Sequence, residues 1–241
     1  MTTLDRLYLG TWQYGGQFKK MTSEEIEGLV EYALASGIER FDTAAVYGGG
    51  SVETVLGDVL PADALVVTKI PAIKKPALTD PALAPAFYNL AAIQQSVEGS
   101  LSRLKRSQAD VILLHNWLPH WTTDNESIIE AFVSLKVLGL TKKVGLSLPN
   151  QFAASIHSNL LPHLDVVEAP YNDENRWIVS QIPQLHHSGI EVILRSLFLQ
   201  GKTVSRVMPT TTIKEAMQFK TSLVIGMTTR KQIKANIETM R

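Results

Sequence analysis

The stretch Gly37-Ile38-Glu39-Arg40-Phe41-Asp42-Thr43-Ala44-Ala45-Val46-Tyr47-Gly48-Gly49-Gly50 organises the chain. Gly37 is placed to stop a helix, because the left-handed residue that ends a helix favours glycine. A very short strand, Glu39 to Asp42, follows and brings a carboxylate to its end. Five residues on, a tyrosine stands before three glycines and the start of another helix. Alone, Asp42 reads as a helix cap and Tyr47 as a packing aromatic. A buried carboxylate, however, costs several kcal/mol unless something pairs with it.

Working outward, short apolar runs alternate with longer helical patterns. Strands are predicted at Leu7–Trp12, Glu39–Asp42, Leu65–Lys69, Asp110–His115, Lys143–Ser147, Asp165–Ala169, Glu191–Arg195 and Leu223–Gly226. Runs such as Val111-Ile112-Leu113-Leu114 do not alternate, the mark of a parallel sheet covered on both faces. Helices are predicted from Thr22 to Gly37, at Val52–Leu60, Asn89–Arg106, Glu126–Leu138, Gln151–His157, Trp177–His187 and Arg230–Met240, with a weak two-turn segment at Ile213–Phe219. Eight strands, each followed by a helix or a short substitute, predict a compact α/β fold, a (β/α)8 TIM barrel occupying residues 1–241 as one domain. A doubly wound open sheet is the alternative, but no Gly-x-Gly-x-x-Gly follows the first strand.

Composition bounds the partners. The 241 residues are 45% hydrophobic, enough for a sizeable core, and 23 Lys+Arg balance 23 Asp+Glu. Zero net charge argues against nucleic acid or an anionic membrane as main partner. Without cysteine there is no disulfide, thiolate nucleophile or Cys-based metal site, and no His/Asp/Glu set has metal-ligand spacing. No signal-peptide pattern or membrane-length apolar run is seen, so a cytoplasmic protein, monomeric or weakly homo-oligomeric, is expected.

In a barrel, chemistry belongs at the carboxyl ends of the strands. There the chain places Asp42, Lys69 and His115 on three successive strands, beside Tyr47 in a loop. Each has a bland reading: Lys69 as the first solvated residue past a strand, His115 as a core histidine. Together they form a proton-transfer group. An ammonium beside a phenol favours the phenolate, and a carboxylate behind it keeps the ammonium charged, so a lowered phenol pKa is expected. His115 then donates a hydrogen bond to the oxygen that Tyr47 protonates. Such a site needs a hydride that no side chain supplies, which implies a nicotinamide cofactor.

These residues resemble the aldo-keto reductase family. The matching segments are Leu9-Gly10-Thr11-Trp12, Phe41-Asp42-Thr43-Ala44 through Tyr47-Gly48, Val67-Thr68-Lys69, Ser100-Leu101-Ser102-Arg103-Leu104, Asp110 through His115, Lys143-Val144-Gly145-Leu146-Ser147, Pro170-Tyr171-Asn172, Arg195-Ser196 with Gln200-Gly201, and Ile225-Gly226 through Asn236. The resemblance implies a barrel reducing aldehydes or ketones with NAD(P)H, with Asp42, Tyr47, Lys69 and His115 as catalytic tetrad and Tyr47 as general acid. It also implies a cofactor site of Gly10, Thr11, Trp12, Ser147, Glu168, Arg195, Ser196, Phe198, Gln200, Gly201, Gly226, Met227, Thr228, Arg230, Gln232 and Asn236. Within it, Ser147 and Glu168 are expected at the nicotinamide amide, with Leu148 where a polar residue is usual. A carboxylate at 168 accepts from the amide NH2 but donates nothing. Thr228 and Arg230 favour NADP(H) over NAD(H) by offering a hydroxyl and a guanidinium to a 2′-phosphate. Relative to the family, the N-terminus and the seventh helical segment, Lys202 to Thr212, are short.

The substrate pocket is expected at Trp12, Tyr14, Trp117 and Trp121, with Phe18, His120, Tyr171 and Trp177 as further wall candidates. An aromatic rim suits a ring- or sugar-sized carbonyl compound. Two other functions use the same fold: a non-redox isomerase, epimerase or lyase, and a non-catalytic cofactor-binding subunit.

Overall fold

The computed structural model describes residues 3–150, 152, 159–202 and 207–241. Eight parallel strands close on themselves in chain order: β1 (Leu7–Gly10), β2 (Arg40–Asp42), β3 (Leu65–Ile70), β4 (Ala109–His115), β5 (Thr141–Ser147), β6 (Val166–Pro170), β7 (Glu191–Arg195) and β8 (Ser222–Gly226), with β8 pairing back onto β1. Around them run α1 (Ser23–Ala35), α2 (Ser51–Val59), α3 (Leu90–Arg103), α4 (Glu126–Val137), α5 (Ile182–His187), α6 (Pro209–Met217) and α7 (Arg230–Met240). This is the expected (β/α)8 barrel. No described helix is long and apolar enough to cross a membrane.

Local chemistry sets the boundaries. Thr22 caps α1, accepting from Glu25 N while Glu25 reaches back to Thr22 N, which satisfies two of the helix's orphan donors. β1 stops at Gly10, two residues before the expected end, because the chain turns at Thr11 into a 3-10 turn over Trp12–Gly15. The helix expected over Trp177–His187 is a 3-10 turn, Trp177–Ser180, followed by α5. Pro183 stands in the first turn of α5, where its missing N–H costs nothing, and it is unfit for a helix interior. Pro209 likewise opens α6 earlier than Ile213. The helix expected at Gln151–His157 lies outside the described residues.

The strand pattern decides what faces inward. Tyr8, Val67, Val111, Leu113, Val166, Ile193 and Val224 pack together as one buried cluster inside the barrel. Side chains alternate along a strand with period two. Residues two positions on from these therefore face the same interior, nearer the carboxyl rim: Gly10, Lys69, His115, Glu168, Arg195 and Gly226. Gly145 keeps β5 and β6 close, since a Cβ there would stand 1.8 Å from the Val166 carbonyl oxygen. The opposite faces pack against the helices. There Thr68 donates to Glu53, which is fully buried and also ion-paired with Arg103.

Candidate active site

Asp42 ends β2, and its carbonyl oxygen accepts from both the backbone N–H and the hydroxyl of Thr11, tying the first two strand ends together. Lys69 points inward from β3 and is 1% exposed. Its Nζ donates to Asp42 Oδ2 at 2.6 Å and to the Thr43 carbonyl at 3.0 Å. Glu168 Oε2, from β6 across the barrel, lies 3.4 Å from the same nitrogen.

Tyr47 reaches this group from a tight turn, Tyr47–Gly50. Gly48, Gly49 and Gly50 all have positive φ (58°, 65° and 97°), which glycine adopts without the Cβ penalty. The turn also touches the β1 loop: a Cβ on Gly15 would come within 2.7 Å of Gly48 N. The buried ring of Tyr47 lies 5.6 Å from Lys69 Nζ and 6.4 Å, edge to face, from the His115 ring. The structure thus gathers Asp42, Tyr47, Lys69 and His115 in one place, and Asp42, Tyr47 and His115 border the same cleft.

The electrostatics differ from expectation at Tyr47. Burial pushes the phenol up to about 12, and the ammonium of Lys69 only partly opposes it. The expected lowering fails because burial outweighs the ammonium, whose effect the Asp42 and Glu168 carboxylates also oppose. Burial disfavours the ammonium of Lys69, but Asp42 and Glu168 outweigh that and raise its pKa. Burial and the neighbouring Glu168 carboxylate push Asp42 well above the usual carboxylate range. Burial acts on Glu168 in the same direction, but Lys69 and Arg195 overcome it and pull Glu168 below that range. Burial, then Lys69, lowers His115 to about 3, so its imidazole is neutral at physiological pH.

The cleft, of about 1250 Å³, runs from this group across the rim to the start of α7. Gly10, Trp12, Arg195, Ser196, Phe198, Gln200, Gly201, Gly226, Thr228, Arg230 and Gln232 line it. Thr11, Met227 and Asn236 are buried behind the wall. Ser147 and Glu168 are also fully buried and bond each other, Ser147 Oγ to Glu168 Oε1 at 2.8 Å. Glu168 is held further by Arg195 Nε at 3.2 Å. Leu148 is fully buried, its carbonyl accepting from Arg195 Nη2. Asn150 of this loop borders the cleft, and its Oδ1 accepts from Arg195 Nη1 at 3.3 Å.

The aromatic rim needs a larger correction. Trp117 and Trp121 do not line the cleft. They are 3% and 1% exposed and pack with Phe87 and Tyr88 behind His115. Tyr88 donates its hydroxyl to the His115 carbonyl, so this cluster braces the histidine from behind. Tyr14 is buried too, donating to the Met227 carbonyl and linking the loops after β1 and β8. Tyr171 is fully buried, and Trp177 packs on Phe152. The apolar wall is instead Trp12 edge-on to Phe18, with Val46 and Leu78.

Gln13, Gln17 and the first turns of α1 complete the cleft, and the sequence reading missed them. The position of Gln13, just past the end of β1, was the available signal. Its amide occupies the space above Gly226, where a Cβ would lie 1.4 Å from Gln13 Nε2.

A parallel barrel with a buried phenol, imidazole and ion pair beside a cleft at its carboxyl rim defines a class of barrel enzymes. Within that class the chain belongs to the aldo/keto reductase family, whose model matches residues 6–220. The 6-dehydroglucose reductase of Agrobacterium fabrum is 30% identical over 151 residues, 60% of this chain and 50% of that protein. The chain spans about half the length of the curated relatives it matches. Among solved structures, the aldo-keto reductase AKR11C1 from Bacillus halodurans superposes with a TM-score of 0.77 at 20% identity, over 98% of this chain and 86% of that one. An aldo/keto reductase from Klebsiella pneumoniae, in complex with NADP and acetate, gives 0.73 at 17% identity, over 98% and 85%.

Proposed function

We propose that this chain reduces an aldehyde or ketone to an alcohol with a nicotinamide cofactor, Tyr47 giving the proton. One observation carries the reading: Tyr47 and His115 converge at one end of a cleft long enough for a dinucleotide, with Lys69 and Asp42 directly behind them. The remainder of the cleft fits such a group. Its wall supplies Arg195, Ser196 and Arg230 as donors to a polyanionic ligand, and no atom of the described residues stands within 4 Å of where a Cβ on Gly201 would lie. When bound, a reduced nicotinamide supplies the hydride.

The chain's own residues do the rest. Neutral His115 donates a hydrogen bond to the carbonyl oxygen and orients it without giving up a proton. Tyr47 transfers its phenolic proton to that oxygen as negative charge develops there. A phenol at about 12 is weak, but an alkoxide is a base comparable to hydroxide, whose conjugate acid lies at about 15.7, so the transfer runs downhill. Lys69 then stabilises the phenolate until water reprotonates it. Trp12, Phe18, Val46 and Leu78 offer the carbonyl compound an apolar wall.

At the far end, Gln232 Oε1 accepts from both the N–H (2.7 Å) and the hydroxyl of Thr228. That leaves Arg230, which lies over the Tyr32 ring, as the group for a 2′-phosphate. We therefore favour NADP(H), the cofactor of the Klebsiella pneumoniae relative. A panel of aldehydes, ketones and sugars with NADPH and NADH, read by nicotinamide absorbance, tests the activity. Tyr47→Phe should cut turnover by about 10²- to 10⁴-fold while nucleotide affinity holds. Near-wild-type turnover in that variant would defeat the role of Tyr47, and NADH binding as tightly as NADPH would defeat the cofactor preference.

A further inference from the structure

The proton-donating group contains one more buried carboxylate than Lys69 needs. Asp42, at 2.6 Å, and the Thr43 carbonyl, at 3.0 Å, already hold the ammonium. Yet Glu168 reaches it from the other side of the barrel, its Oε2 buried, without a hydrogen-bond partner and 3.4 Å from Nζ. The other oxygen of Glu168 accepts from Ser147 Oγ and lies 3.2 Å from Arg195 Nε. Arg195 in turn borders the cleft. Acidic and basic groups therefore alternate in a line across the rim: Asp42 on β2, Lys69 on β3, Glu168 on β6, Arg195 on β7. Tyr47, from the loop after β2, and His115 on β4 lie beside that line. Two carboxylates face two cations.

From this geometry we infer that Glu168 is a positioning residue which, with Arg195, balances the charge around Lys69 and commits Tyr47 to giving a proton rather than taking one. Cations near a phenol favour the phenolate, and anions favour the protonated form. Lys69 and Arg195 act in the first sense on Tyr47, Asp42 and Glu168 in the second. Without Glu168 the two cations would face Asp42 alone. The phenol would ionise more readily, and the site would accept a proton from an alcohol more easily. Arg195 is what makes a second buried carboxylate tolerable, since an unpaired one would be costly. Glu168 is thus no free acceptor for a cofactor amide. Its oxygens already serve Ser147, Lys69 and Arg195.

This inference rests on the reductase reading only for the meaning of the proton transfer. Its test needs no nucleotide. The tyrosinate absorbance of Tyr47 is isolated by subtracting the alkaline titration of a Tyr47→Phe protein, in wild type and in each Glu168 background. Glu168→Gln should move the midpoint down by about one unit. Glu168→Asp, which keeps the charge but withdraws it by one methylene, should move it down by less. The double variant Glu168→Gln/Arg195→Gln, with neither charge, should return close to wild type. Circular dichroism checks that each variant is folded, and Glu168→Asp decides the matter if Glu168→Gln does not fold. An unshifted or raised midpoint in the folded single variants overturns the inference, as does a double variant shifted as far as the single. If the shifts appear but no carbonyl is reduced, the reductase reading fails and the charge balance stands. If carbonyls are reduced and the shifts are absent, the reverse holds.

Discussion

Replacing Lys69 with methionine keeps the length of the side chain and removes its charge. In the native protein Lys69 is 1% exposed, and its charge is shared by Asp42 at 2.6 Å and Glu168 at 3.4 Å. Breaking a buried ion pair from one side costs about 3–5 kcal/mol. Here Glu168 keeps Arg195 at 3.2 Å, so one carboxylate rather than two loses its counter-ion. The lower end, about 3 kcal/mol, is therefore expected at neutral pH. For a domain of this size that is about 6–12 °C in unfolding midpoint. The loss depends on pH with a definite sign. Burial and Glu168 already raise Asp42 in the folded state, and without Lys69 nothing opposes them. A raised carboxylate contributes its stability below the unfolded value of about 3.9 and loses it as pH rises through the folded value. The gap between wild type and Lys69→Met should thus be small at about pH 5 and wide at about pH 8. Thermal unfolding of both proteins across that range measures it. A gap under about 2 °C at the upper pH, or one that widens on acidification, would refute the reasoning.

The buried Glu53–Arg103 pair holds α2 against α3, and the side chain of Arg103 lies under Gly50 in the tyrosine turn, 2.9 Å from where a Cβ would be. Glu53→Gln should therefore cost about 3 kcal/mol, the low end for a buried pair because Arg103 is partly exposed, and should lower turnover by loosening the Tyr47 turn; chemical denaturation and steady-state rates check both. The two tryptophans should separate cleanly. Trp117→Ala should destabilise by about 3–5 kcal/mol. Trp12→Ala, at a half-buried position that also packs on the core, should cost less than that and raise the KM for apolar carbonyl substrates. His115, at about 3 when folded, is neutral when the protein works, so reduction should show no acid limb near the ordinary histidine value of about 6.5. A lowered histidine gives its stability above the unfolded value and loses it as pH falls towards the folded one. Wild type should thus lose stability from about pH 6.5 down to about pH 3, with a shallower slope in His115→Asn.

The elements were legible in the sequence because their signals are local. Val-Ile-Leu runs, capping residues and glycine stops placed all eight strands, with β7 and α7 matching end to end. Proline chemistry explains where α5 and α6 departed from expectation. The meeting of Asp42, Tyr47, Lys69 and His115 was legible too, because strand ends in a barrel converge wherever the strand order runs in sequence. The aromatic wall was not. Trp12 and Trp117 both follow a strand end, and nothing local says that Trp117 turns back to pack on Tyr88 while Trp12 faces the cleft.

The sequence by itself determined the barrel, the rim, and the acid, phenol, ammonium and imidazole that meet there, since periodicity and strand order are properties of the chain. Only the tertiary structure decided how those groups are charged. A phenol's acidity depends on burial and on every charge within a few ångströms, and barrel closure sets the burial and adds charges from the far strands. Glu168 stands 126 positions from Asp42 in the chain, yet both face Lys69. Burial inside the closed barrel comes first, and those two carboxylates oppose Lys69, so the Tyr47 phenol is raised to about 12 rather than lowered as its neighbours in sequence led one to expect.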